Sequence, residues 1–117
     1  MPGGGLEANE HFEDAARREA REETGLEVEL GSCLWTRHHI YEWEGHEHNQ
    51  FEVYFMARTT QREIRPSSPD SYVFGHRWWS LRELQVSREH FAPTRIAILL
   101  SSILNGSLPS KPIDCGV

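Results

Sequence analysis

A chain of 117 residues, 38% hydrophobic and 26% charged, carries apolar material for one domain with one modest core. Its formal net charge of −6 argues against broad nucleic-acid binding through phosphates, and no apolar run approaches the ~20 residues that a membrane helix needs. Cys33 and Cys115 stand in no metal or disulfide spacing, and the opening Met-Pro-Gly-Gly-Gly is not a basic stretch followed by an apolar run, so the expected compartment is the reducing cytoplasm.

The glycines Gly3, Gly4 and Gly5 predict a flexible loop whose backbone can approach a ligand closely. Asn9 sits in the following turn, and asparagine tolerates a left-handed backbone better than most residues. A helix is expected from about Phe12 to Thr24, with Gly25 as its natural stop. His11 falls at its N-cap, a position for which histidine is poorly suited. Leu34 to Trp43 reads as a strand, and Glu44-Gly45 as the turn after it.

Asn49 to Thr59 reads as a second strand, with Phe51, Val53, Phe55 and Ala57 alternating against Glu52, Tyr54, Met56 and Arg58. Residues 65–71 are a loop by composition, and Tyr72 to Trp79 returns as a strand. Ser80 opens a short helix, and Glu83 completes a capping box. A last helix begins near Pro93 and stops at Asn105-Gly106, with Ile96, Leu99, Leu100, Ile103 and Leu104 as its apolar stripe. The tail 107–117 shows no periodicity and is expected to order where it docks. With no internal repeat, residues 1–117 read as a single domain, an α/β sandwich.

The acid is concentrated. Residues 7–23 hold seven carboxylates against Arg17, Arg18 and Arg21. Glu19, Glu22 and Glu23 lie at i, i+3 and i+4, which places all three on one face of a helix with about 3.6 residues per turn. Like charges so placed destabilise a helix, and a divalent cation removes the repulsion. Mg²⁺ suits carboxylate oxygens and keeps room for waters and substrate phosphate. The glycine loop ahead of the helix offers backbone N–H groups for phosphate. Arg18 can orient a carboxylate or meet phosphate charge. The plain alternative is a solvated acidic face, which most Glu-rich helices are.

The full spacing favours the metal reading. Gly4, five residues, Glu10, seven residues, then Arg18-Glu19-Ala20-Arg21-Glu22-Glu23-Thr24-Gly25-Leu26 resembles the Nudix box, G-x5-E-x7-R-E-U-x-E-E-x-G-U, at every fixed position. Ala20 is a small residue for its apolar position and suggests a tight helix contact or a small cavity. The resemblance extends loosely over His76 to Leu84 and over Phe91-Ala92-Pro93 with the helix that follows. It implies an α/β/α sandwich with a mixed sheet, in which residues 1–26 form a loop-helix-loop. It further implies hydrolysis of a nucleoside diphosphate linked to another moiety, with Mg²⁺ as cofactor and Mn²⁺ as a substitute. Glu22 and Glu23 are then the principal metal ligands, and Glu19 a further ligand or catalytic carboxylate. Arg18 orients them, Gly3, Gly4 and Gly5 face phosphate, and Glu10 holds the loop or an outer metal shell.

Two features depart from the family. The box starts at residue 4, where Nudix domains carry one to three earlier strands, so the resemblance implies an N-terminally truncated sheet whose open edge invites pairing with a second copy. The acid usual before the tryptophan strand is missing, since Val73 and Phe74 stand there. Asp70 and Glu52 are the candidates for that role, and Glu52 lies in a context similar to isopentenyl-diphosphate isomerases. Glu52 read plainly is an outward strand residue. His38, His39, His46 and His48 match no zinc spacing, and of Trp35, Trp43, Trp78 and Trp79 at least two are expected in the core. Two further functions stay open beside hydrolysis: a domain that binds nucleotide or a protein without turnover, and an isomerase-like activity.

Overall fold

Helix, hairpin and helices succeed one another along the chain. The computed structural model describes residues 1–66 and 75–117. Helix α1 spans Phe12–Thr24, β1 Glu29–Trp43, β2 His46–Arg58, α2 Leu81–Val86, α3 Ile96–Leu104 and β3 Ile113–Asp114. The sheet order is β2-β1-β3. The two-residue turn Glu44-Gly45, with φ 53° and 76°, makes β1 and β2 an antiparallel hairpin. Strand β3 joins β1 in parallel, Trp35 opposite Ile113 and Thr36 opposite Asp114. The sheet is therefore mixed, and the chain is α/β as its sequence implies. Among the described residues no helix is long and apolar enough to cross a membrane.

The chain divides into two units. The first comprises Met1–Ser32 and Phe55–Arg77. Its helix α1 has Glu13 and Asp14 in the first turn and Arg21 in the last, charges that complement the helix dipole. His11 is the N-cap and makes no side-chain capping bond. Gly25 ends the helix at φ 74°, ψ 7°, its N–H bonded to the Arg21 carbonyl. Ala15, Ala20 and Leu26 are buried here. The segment after β2 is tied back at two points: the Thr59 hydroxyl donates to the Glu27 carbonyl at 2.9 Å, and Gln61 accepts from the Glu27 N–H at 2.7 Å.

The second unit comprises Cys33–Tyr54 and Trp78–Val117. Leu34 and Trp35 are buried on β1, with the Trp35 ring 6.0 Å from that of Tyr54. Trp79 meets Phe91 edge to face at 5.3 Å, a favoured aromatic geometry. Trp43 and Trp78 are exposed. Ser80 and Glu83 form both bonds of the capping box at the start of α2. Cys33 and Cys115 are free thiols, Cys115 fully buried.

Several boundaries differ from the sequence reading. Strand β1 starts at Glu29 rather than Leu34, and β2 at His46 rather than Asn49, because hairpin pairing recruits polar residues that carry no hydrophobic alternation. Residues 75–79 form no strand. Gly75 interrupts the pattern there, while Tyr72, Val73 and Phe74 lie outside the described residues. Helix α3 begins at Ile96, three residues past Pro93, and Leu104 of its expected stripe is exposed. The tail contributes β3, which was not expected; the Cys115 N–H extends the pairing to the Thr36 carbonyl at 2.9 Å.

Candidate functional site

The first unit gathers most of the residues singled out in the sequence around one side chain, Arg18. Helix α1 presents Arg18, Glu19, Glu22 and Glu23, and the preceding loop brings Gly3, Gly4, Gly5 and Glu10. Arg18 Nε donates to Glu10 Oε2 at 2.8 Å, and Nη2 donates to Glu10 Oε1 at 2.9 Å. Nη1 donates to Glu19 Oε1 at 2.8 Å and to Glu22 Oε2 at 3.1 Å. Nη2 also reaches the Gly5 carbonyl at 3.0 Å. One guanidinium thus joins three carboxylates and the loop backbone. A planar fork of five donors has the geometry for this, and a lysine ammonium does not.

The loop is shaped to receive it. Asn9 adopts φ 62°, the left-handed conformation expected of it. The Glu10 N–H bonds the Glu7 carbonyl at 3.1 Å, and Glu10 Oε1 accepts from the Glu7 N–H at 3.0 Å. Gly4 lies against Glu19 so closely that a Cβ on it would stand 2.5 Å from Glu19 Oε1. The Gly3 N–H donates to Glu23 Oε2 at 2.8 Å, and Glu23 is buried. At the other end of the helix, a Cβ on Gly25 would fall 2.2 Å from the Arg65 carbonyl oxygen, and the Arg65 N–H bonds the Thr24 carbonyl at 2.7 Å. The helix end is held by the segment that follows β2.

These contacts divide the carboxylates electrostatically. The Arg18 bond, with help from the Glu7 amide, lowers the Glu10 carboxyl to about 2. Burial pushes Glu19 up, against the opposing pull of Arg18. Glu10 is therefore a fixed anion, while Glu19 holds its charge less easily. The acids form an all-oxygen donor set, the chemistry that Mg²⁺ and Mn²⁺ prefer. Among the described residues, no three acid, histidine or cysteine side chains converge on one point. Arg18 draws Glu10, Glu19 and Glu22, and the Gly3 amide draws Glu23.

The other two expected acids stand apart from this arrangement. Asp70 lies outside the described residues. Glu52 belongs to the second unit, on β2, where both of its oxygens are engaged. Tyr54 Oη donates to Oε2 at 2.8 Å, and Gln50 Nε2 donates to Oε1 at 2.6 Å. Arg37 Nε lies 3.0 Å from Oε2, close enough for an ion pair but too far off line for a hydrogen bond. Arg37 is buried and bonds His39 Nδ1 through Nη2 at 3.1 Å. Burial and the neighbouring Glu52 push the Tyr54 hydroxyl up. Sequence reasoning missed Arg37. Counting outward from the turn Glu44-Gly45 sets it opposite Glu52, and that register was the available signal.

The family model described as the NUDIX domain matches residues 1–99. No curated protein matches the chain.

Proposed function

The chain belongs to the NUDIX domain family, and from that premise we propose that it is a Mg²⁺-dependent hydrolase of a nucleoside diphosphate linked to another moiety. The observation that carries this reading is the Arg18 cluster: one guanidinium holding Glu10, Glu19 and Glu22 beside a glycine loop. A solvated acidic face has no need of a loop folded back onto it. Here the loop and the carboxylates form one connected arrangement.

In this reading Glu19, Glu22 and Glu23 would hold the metal. The bound cation supplies a water of lowered pKa and neutralises phosphate charge. The chain's own residues do the positioning on which phosphoryl chemistry depends. Arg18 keeps the carboxylates aligned, Glu10 anchors Arg18, and the close approach of Gly4 to Glu19 fixes how the loop lies on the helix. The Gly3, Gly4 and Gly5 backbone would present N–H groups to phosphate oxygens, the Gly3 N–H on leaving Glu23 Oε2.

The test is phosphate release from a panel of nucleoside diphosphate derivatives, coupled to a phosphatase, with Mg²⁺, with Mn²⁺ and with EDTA. Turnover that depends on the metal is expected for at least one of them. Nucleotide binding with no turnover under either metal would replace this reading with that of a non-catalytic binding domain. Isomerisation of a prenyl diphosphate would replace it with the isomerase-like one.

A further inference from the structure

The turn Glu44-Gly45 sets the register of the hairpin, and the register sorts its side chains onto two faces. One face holds the Arg37–Glu52 pair and, outward from it, His39, Tyr41, His48 and Trp43. Three of these rings form a single run. His39 and Tyr41 have centroids 4.9 Å apart, and Tyr41 and His48 lie 5.2 Å apart with planes 13° from parallel. Trp43 is the next ring outward. It is 64% exposed and, among the described residues, stacks on no other ring. We propose that this face of the hairpin binds the nucleobase of a free nucleotide, stacked on Trp43 and the outer rings of the run.

An exposed indole beside a ready-made stack is completed by a further flat ring. Aromatic rings attract one another through offset or edge contacts, and every nucleobase has a π-face that can join them. Charge points the same way. Glu42 and Glu47 stand on the opposite face, and Glu44 belongs to the turn. From Arg37 to Glu52 the ring-bearing face carries no acid but Glu52, which Arg37 meets at 3.0 Å. A nucleotide's phosphate therefore meets no unpaired acid among the rings. A hydrogen-bonding edge is present as well. The exposed Gln50 accepts from the Tyr41 hydroxyl at 2.9 Å and donates to Glu52 at 2.6 Å. These bonds fix its amide and leave one N–H and one oxygen lone pair for a ligand. The edge of a base can pair with both, whereas a hydrocarbon ring would use neither. The choice of a base over other polar flat rings rests on the reading of the substrate as a nucleoside diphosphate derivative.

The test uses the whole chain in EDTA, which prevents metal-dependent turnover. The probes are AMP, GMP, CMP and UMP, with ribose 5-phosphate as the control that lacks a base. By NMR, the Trp43 indole N–H and the His48 ring protons should shift with at least one nucleotide and not with ribose 5-phosphate. Trp43→Ala should weaken that binding about tenfold, the scale of one lost base–aromatic stack, and Trp43→Phe should stay within about threefold of the parent. Phe51→Ala, on the opposite face, should leave it unchanged. Rings that do not respond to millimolar nucleotide, or that respond equally to ribose 5-phosphate, overturn the proposal. So does a short single-stranded oligonucleotide bound about a hundredfold more tightly than any mononucleotide, which would make the face a nucleic-acid site. Metal-dependent hydrolysis with unresponsive rings leaves the proposed function standing. Base binding here with no hydrolysis of any diphosphate keeps this inference and removes that function. If Trp43→Ala disturbs the hairpin, the shifts on the unaltered chain decide alone.

Discussion

Arg18 closes both prongs of its guanidinium on the carboxylate of Glu10, eight residues before it, at 2.8 and 2.9 Å. The same side chain holds Glu19 and Glu22, so the loop and the acidic helix face share one cation. Arg18→Lys keeps the charge but loses the fork. Turnover should fall by about 10²-fold, the scale of a misplacement of about 1 Å, while the far-ultraviolet circular dichroism is unchanged. Activity within threefold of the parent, measured at saturating Mg²⁺, would show that the fork does no positioning.

Glu10 gives the loop its acid sensitivity. Its carboxyl is lowered to about 2 by Arg18, against an ordinary value near 4.3. A carboxylate with a depressed native pKa contributes stability that is present above its unfolded value and is lost as pH falls toward the folded one. The window is therefore about pH 4.5 down to 2. The melting temperature of the parent should drop more steeply across that window than that of Glu10→Gln. Parallel curves would mean that the Arg18 pair contributes nothing to folding.

Glu19 and Glu22 separate stability from function. Burial pushes Glu19 up, so its charged form is disfavoured in the folded state and its penalty is relieved as pH falls. At pH 7 without metal, Glu19→Gln should melt at or above the parent temperature. Glu22→Gln should retain the fold and lose about 10²-fold or more in rate if it supports metal-assisted attack. A large fall in the Glu19→Gln midpoint would make that residue structural, and near-normal turnover by Glu22→Gln would remove it from the site.

Adjacent glycines should respond differently to alanine. At Gly4 the added methyl would stand 2.5 Å from Glu19 Oε1, whereas at Gly5 it meets nothing within 4 Å. Gly4→Ala should therefore weaken Mg²⁺ binding and turnover together, and Gly5→Ala should leave both within about threefold, an allowance for altered loop entropy. Equal effects at the two positions would mean that Gly4 is not packed on Glu19.

Gly25 tests the far end of the helix. Its φ of 74° lies in the left-handed region, which costs an L-residue roughly 1–2 kcal/mol, and its missing Cβ leaves room for the Arg65 carbonyl. Gly25→Ala should destabilise the protein by about that amount or more, read as a lowered urea midpoint at an unchanged m-value. A shift below about 0.5 kcal/mol would show that the segment after β2 moves aside freely.

Helix α1 was legible almost to the residue because every determinant is local: alanine and charged helix formers, a left-handed asparagine before it and a glycine after it. The same holds for the Ser80–Glu83 box. Strand β3 could not be read, since two residues have no period and their pairing with Trp35 and Thr36 is set by distant chain. The Arg18 cluster was legible in its members and not in how they are held. Arg18 stood out by its place in the spacing, but its grip on Glu10 is a tertiary fact. The Gly3 backbone was expected to face phosphate, and its bond to Glu23 left no trace in the sequence, because a backbone donor has no side chain to announce its partner. Likewise Glu52 pointed to Arg37 only through the register of the hairpin, and nothing in it announced that Gln50 and Tyr54 engage it.

The segment from Gly5 to Glu10 is a closed ring, fastened at both ends to one guanidinium nitrogen, since Arg18 Nη2 bonds the Gly5 carbonyl and Glu10 Oε1 alike. A ring constrains circumference and leaves composition open. Leu6 and Ala8 are exposed within it and are free to change identity, as surface-loop residues generally are. One residue added or removed between the fastenings would carry Glu10 out of register with the fork. Drift at this part of the chain should therefore proceed by substitution at constant length, in contrast to the insertions and deletions that ordinary surface loops accommodate.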